Sequence, residues 1–166
     1  MKFTLGSFLL KKLGEDWLKV EATIKKMLVA IDGSETATKA LNYALQLAEK
    51  CSAEVQIVSV LQTIDSMMPP SSGMIYASLL YDMEKSIEMI LSDTLKRVKE
   101  TKPALKVSTR LLKGRPADEI VQIAKEEGFD IIVIGSRGLS NVEEFFLGSV
   151  SDRVADKASC PVLIVK

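Results

Sequence analysis

The chain has 166 residues, 47% apolar and 27% charged, which is the balance of one ordinary soluble domain with its own core. Its 22 basic and 22 acidic residues cancel, so no net field draws it to nucleic acid or to an acidic membrane surface. It contains no histidine, which removes the commonest general base and the commonest metal ligand.

The first 24 residues carry Leu9 or Leu10, Leu13, Trp17 and Val20 at helical spacing, with lysines and acids between them. They read as a short amphipathic helix, an extension packed on the domain or on a partner subunit. Glu15, Asp16 and Glu21 dilute its positive face and argue against a membrane-surface role. Met1–Leu10 has a short apolar run broken by Gly6, with lysines after it and no small-residue cleavage site, so it does not read as a signal peptide. No stretch approaches the length of a bilayer span. Cys51 and Cys160 form no framework and read as small packing residues of a reducing compartment. The expectation is a cytoplasmic protein.

From Lys26 the pattern alternates. Met27–Ile31 is an apolar run of strand length. A helix follows over Ser34–Lys50, with Ala37, Ala40, Leu41, Ala44, Leu45 and Ala48 on one face. Val55–Leu61 is strand-like. Gln62–Leu80 reads as a long loop, rich in turn residues around Met67–Pro70, of the kind that covers a site or moves freely. Met83, Ile87, Ile90, Leu91, Leu95 and Val98 mark a long helix, which Pro103 stops. Lys106–Leu111 alternates as an edge strand with one wet face. Gly114-Arg115-Pro116 turns into a helix with Pro116 at its start, Asp118 and Glu119 in the first turn, and Ala117, Ile120, Val121 and Ala124 inward. Gly128 closes it. Ile131–Ile134 is the fourth strand. Gly148–Ala158 is the fourth helix, with Val150, Val154 and Ala158 on one side, and Val162–Val165 is the last strand.

Five strands alternating with helices predict an α/β domain over residues 25–166, a doubly wound parallel sheet. The apolar runs of the first, fourth and fifth strands fit burial on both faces. Ligands of such sheets bind beyond the carboxyl ends of strands, where the winding reverses. Two loops there are chemically notable. Asp32-Gly33-Ser34 follows the first strand. Gly135, Gly138, Gly148 and Ser149 follow the fourth and run into a helix start. Glycine lets backbone approach a ligand closely, and a helix start offers unpaired N–H groups to an anion. A phosphate is the natural occupant, so a nucleotide site is expected. No Walker-type lysine loop and no G-x-G-x-x-G is present. Phosphates would rest on backbone N–H groups and on the hydroxyls of Ser149 and Ser151, with Ser136 and Arg137 within reach. The alternatives are a loop of tight turns that binds nothing, an Asp32 that only shapes a turn, and a solvated Arg137.

These residues resemble the universal stress proteins, in particular the branch that binds ATP. The resemblance runs from Lys25 to Lys166 and rests on KKMLVAIDGSE, GRPADEIVQIAKE, DIIVIGSRGLS, LGSVSDRV and CPVLIVK. Gly135, Gly138, Gly148 and Ser149 fit the pattern G-x2-G-x9-G-[S/T] of that branch. The resemblance implies a five-stranded parallel sheet of order 3-2-1-4-5. It implies that Gly135 and Gly138 contact ribose and phosphate, that Gly148, Ser149 and Val150 hold phosphates, and that Ile31, Asp32 and Val60 flank the adenosine end. It also implies a homodimer built through Val162–Val165. The expected ligand is ATP, with ADP or AMP as alternatives and Mg2+ or Mn2+ carried on the phosphates. No nucleic acid or membrane partner is expected. The absence of catalytic furniture favours a nucleotide-responsive regulatory module. A slow ATP hydrolase or phosphotransferase, with Asp32 orienting water, is the enzymatic alternative. A nucleotide-independent interaction protein is the third.

Overall fold

A computed structural model describes residues 23–63, 73–139 and 148–166. The expected N-terminal amphipathic helix and the Met67–Pro70 stretch lie outside the described residues. Five strands are described: β1 Lys26–Ala30, β2 Glu54–Gln62, β3 Val107–Gly114, β4 Ile131–Gly135 and β5 Val162–Val165. Four helices join them: α1 Glu35–Cys51, α2 Gly73–Thr101, α3 Pro116–Glu126 and α4 Ser149–Lys157. All strand pairs are parallel and the order is β3-β2-β1-β4-β5, as the resemblance implied. The winding reverses between β1 and β4, so the loops after these two strands open into one crevice.

Strand alternation sends neighbouring side chains to two cores. Met27 and Val29 of β1, and Ile31 just after it, meet the alanine face of α1 (Ala37, Ala40, Ala44, Ala48) and Leu91 and Val98 of α2. Leu28 and Ala30 point the other way, to Ala117, Ile120 and Ala124 of α3 and Val154 of α4. Both cores are dry at β1, where Met27, Leu28 and Val29 have no exposed surface. Truncating Leu28 to alanine there costs about 2–5 kcal/mol.

The ends of the helices follow from local chemistry. Ser34 caps α1, its Oγ accepting the N–H of Ala37 at 3.2 Å. Gly33 before it has φ +87°, a conformation that favours glycine. Pro116 begins α3, with Asp118 and Glu119 in its first turn. Gly148 caps α4 without any side-chain hydrogen bond, which leaves that helix start open.

The fold corrects three expectations. The supposed long loop Gln62–Leu80 ends early, because α2 begins at Gly73. Leu80 lies seven residues before Ile87 and continues its half-buried stripe two turns upstream. Met83 and Ile90, counted among the apolar positions that mark this helix, are 42% and 40% exposed, because the buried line of α2 runs through Leu91 and Val98 instead. Strand β5, read as buried on both faces, is an edge strand on which Leu163 is exposed. Its apolar run therefore does not signal a central position.

Candidate functional site

The crevice beyond β1 and β4 contains a cavity of about 330 Å³. Small-molecule sites span roughly 300–1,000 Å³. Its wall includes Ile31, Asp32, Val60, Arg137, Gly138 and Ser149. Gly135, Gly148, Val150 and Ser151 also border it, so every site residue expected from the sequence meets at one place. Ser136 does not join the wall. It is 2% exposed and contributes its backbone instead.

One end of the cavity is a strand edge. Strand β1 pairs with β2 only as far as Ala30 opposite Val58, and the Ile31 N–H then donates to the Val58 carbonyl at 2.9 Å. Strand β2 continues to Gln62, held on its other side by β3. Backbone groups of alternate residues in a parallel strand face the same neighbour. Val60 therefore turns its N–H and C=O to the side on which β1 has ended. A donor and an acceptor of one residue stand together there, with Pro116 and Ile120 of α3 as apolar wall.

The other end is the start of α4. The Gly148 N–H is used internally, donating to the Ser136 carbonyl at 2.8 Å. The Ser151 hydroxyl is used as well. It donates to the carbonyls of Ser136 and Gly148, both at 2.9 Å. Ser151 thus ties the end of β4 to the start of α4 through the hydroxyl that was expected to donate to a phosphate. The N–H groups of Ser149 and Val150 lie in the first turn of α4, where helix geometry supplies no acceptor, and the Ser149 side chain is exposed. Together with the positive end of the helix dipole they give the cavity an electropositive end.

Asp32 stands between the two ends. Its Oδ1 accepts the Ser34 N–H at 3.0 Å, as a turn-forming aspartate does. Its Oδ2 lies over Gly138, where a Cβ would approach it to 2.7 Å. One carboxylate thus shapes the turn with one oxygen and lines the cavity. A Cβ on Gly135 would meet Thr36 Oγ1 at 2.7 Å and the Ala37 backbone nitrogen at 2.8 Å. Gly135 is thus required first by protein packing against the backbone of α1, which the spacing G-x2-G-x9-G did not disclose. Thr36 was also missed. Its hydroxyl and that of Ser34 donate to the Arg137 carbonyl, and Ser-x-Thr at a helix start was the only available signal.

Among the described residues, no group of three or more Asp, Glu, Cys or His is placed to hold a metal ion, and no helix is long and apolar enough to cross a membrane.

Comparison with known proteins agrees with this geometry. Residues 23–166 match the model of the universal stress protein family. The chain is 37% identical over 147 residues to universal stress protein YxiE of Bacillus subtilis, covering 85% of this chain and 98% of that one. A universal stress protein solved in complex with cAMP superposes with a TM-score of 0.66 at 28% identity, over 87% of this chain and 98% of the other. One from Archaeoglobus fulgidus in complex with dAMP superposes with a TM-score of 0.61 at 25% identity, over 87% of this chain and 99% of the other. The chain belongs to the universal stress protein family.

Proposed function

We propose that this chain is an adenine-nucleotide-binding regulatory module whose ligand is ATP, with ADP and AMP as competing occupants. The observation that carries the reading is the two-ended crevice. An unpaired strand edge at Val60 faces one end, and the uncapped start of α4 faces the other. Adenine presents a ring-nitrogen acceptor beside an amino donor, the complement of one residue's N–H and C=O. Pro116 and Ile120 supply the apolar surface for the base. Asp32 Oδ2 is an acceptor for ribose hydroxyls. The N–H groups of Ser149 and Val150 and the Ser149 hydroxyl receive phosphates. The two relatives solved with cAMP and dAMP support the adenine end of this assignment.

A divalent cation, Mg2+ or Mn2+, would enter on the phosphates. When bound, it supplies charge neutralisation between phosphate oxygens. Among the described residues Asp32 is the one carboxylate of the wall, and it would meet the cation through water. No histidine is present to act as a base, which favours binding over turnover. Homodimerisation through β5 is part of the proposal. Leu163 is 36% exposed on that edge strand, and an exposed edge is a ready pairing surface.

Calorimetric titration of Mg-ATP into nucleotide-stripped protein tests the reading, with ADP and AMP run beside it. The expected result is saturable binding of one nucleotide per chain. No binding at several temperatures, repeated in an equilibrium dialysis assay, would refute it.

A further inference from the structure

Two glycines and a carboxylate hold the attention at this site, but the contact that sets the loop's orientation comes from α1. The Arg137 carbonyl accepts hydrogen bonds from Thr36 Oγ1 and from Ser34 Oγ, the latter at 3.3 Å. Both donors belong to the start of α1. Ser34 makes the longer of the two bonds, and its oxygen also serves as the helix cap, accepting the Ala37 N–H at 3.2 Å. Thr36 Oγ1 can reach the carbonyl only because Gly135 lacks a Cβ, which would sit 2.7 Å from that oxygen.

From this arrangement we infer that Thr36 is a positioning residue of the nucleotide site, setting the direction in which the Gly138 N–H points. The Arg137–Gly138 peptide is trans, so its C=O and N–H are antiparallel. Pulling the carbonyl toward α1 turns the N–H away from α1, to the side of the strand ends where Pro116, Ile120 and Val150 wall the cavity. The peptide then arrives with its donor already aimed at the ligand, and binding does not have to supply the ordering cost. Without the Thr36 hydroxyl the peptide can rotate, because Gly138 has no side chain to restrain it and Arg137 is only partly buried. The inference rests on the nucleotide-binding reading above and adds a residue that does not touch the ligand.

The test compares wild-type protein with Thr36→Val, which keeps the shape and loses the donor, and with Thr36→Ser, which keeps the donor. Circular dichroism confirms that each is folded. Mg-ATP titration is expected to show binding about three- to tenfold weaker for Thr36→Val, the effect of one lost hydrogen bond, and near wild type for Thr36→Ser. The Gly138 amide resonance in nucleotide-free protein is expected to move in Thr36→Val and to return in Thr36→Ser. Unchanged Mg-ATP affinity in Thr36→Val overturns the inference. So does equal weakening in both variants, which would assign the effect to the methyl group. If the wild type binds no nucleotide, the functional reading fails, and the Gly138 resonance still decides the positioning: an unmoved resonance in Thr36→Val refutes it separately. Ser34→Ala provides a further variant, expected to lower the melting temperature through loss of the α1 cap while weakening Mg-ATP less than Thr36→Val does.

Discussion

Gly135 and Gly138 stand three residues apart in the same loop, and the structure gives them opposite mutational consequences. A Cβ on Gly135 would lie 2.7 Å from Thr36 Oγ1 and 2.8 Å from both Ala37 N and Thr36 C. Two of those three atoms are backbone in the first turn of α1. The turn cannot retreat, because Ser34 caps it and Ala37, Ala40 and Ala44 are seated in the core behind it. Gly135→Ala is therefore an overpacking substitution, costing about 1–3 kcal/mol. At about 2–4 °C per kcal/mol for a chain of this size, the melting temperature falls by about 2–12 °C. A Cβ on Gly138 would meet only Asp32 Oδ2 at 2.7 Å, the far end of an exposed side chain, which can swing away. The φ of Gly138 lies outside the left-handed region, so alanine brings no backbone strain. Gly138→Ala should change stability by no more than about 0.5 kcal/mol. It should nevertheless displace the carboxylate proposed for the ribose and weaken Mg-ATP by about ten- to a hundredfold, the range for a lost charged hydrogen bond. Urea unfolding and calorimetric titration of both variants separate the two effects. Equal destabilisation by both substitutions, or a Gly135→Ala protein as stable as wild type, would refute the packing argument.

Ser151→Ala removes the donor shared by the Ser136 and Gly148 carbonyls in a residue that is 2% exposed, so urea unfolding should report a loss of about 1–3 kcal/mol. The proposed homodimer predicts that light scattering reports twice the chain mass for wild type and the chain mass alone for Leu163→Asp, which places a charge on the exposed edge strand; an unchanged mass would move the interface elsewhere. The Glu54 and Glu35 carboxyls are held below the ordinary 4.5, first by hydrogen bonds from Lys106 and Lys39 and then by their charges. Groups depressed on folding stabilise above their unfolded value and lose that contribution as pH falls through the folded one. The urea midpoint should therefore decline below pH 4.5, with a shallower decline in Lys106→Met and in high salt. Burial pushes the Cys160 thiol above its ordinary 9.0, so in a Cys51→Ala background alkylation at pH 8 should be slower than that of a free thiol and should still be rising with pH where the free thiol has levelled off. Alkylation as fast as that of the free thiol would refute this.

The local elements were legible because their causes are local. The alanine face of α1, the proline at the start of α3 and the apolar run of β4 each announce themselves within one or two turns of chain. The start of α2 was less legible, since the turn-rich residues around Met67–Pro70 carry a loop signal that overlaps the beginning of the helical stripe. The exposure of Met83 and Ile90 was illegible for another reason. Periodicity marks which residues share a face, and only packing decides how wide the buried part of that face is.

The site divides in the same way. The sequence by itself determined where glycine and aspartate follow strands, and the glycine spacing of the loop after β4, because these depend on residues close in the chain. Tertiary structure alone decided what each group does. It ended β1 before β2 and so freed the backbone of Val60, although nothing in a valine announces an unpaired N–H. It turned the Ser151 hydroxyl inward, and it brought Thr36 to Arg137 across 101 residues of chain. Contacts at such separation depend on strand order, and strand order is a property of the assembled sheet.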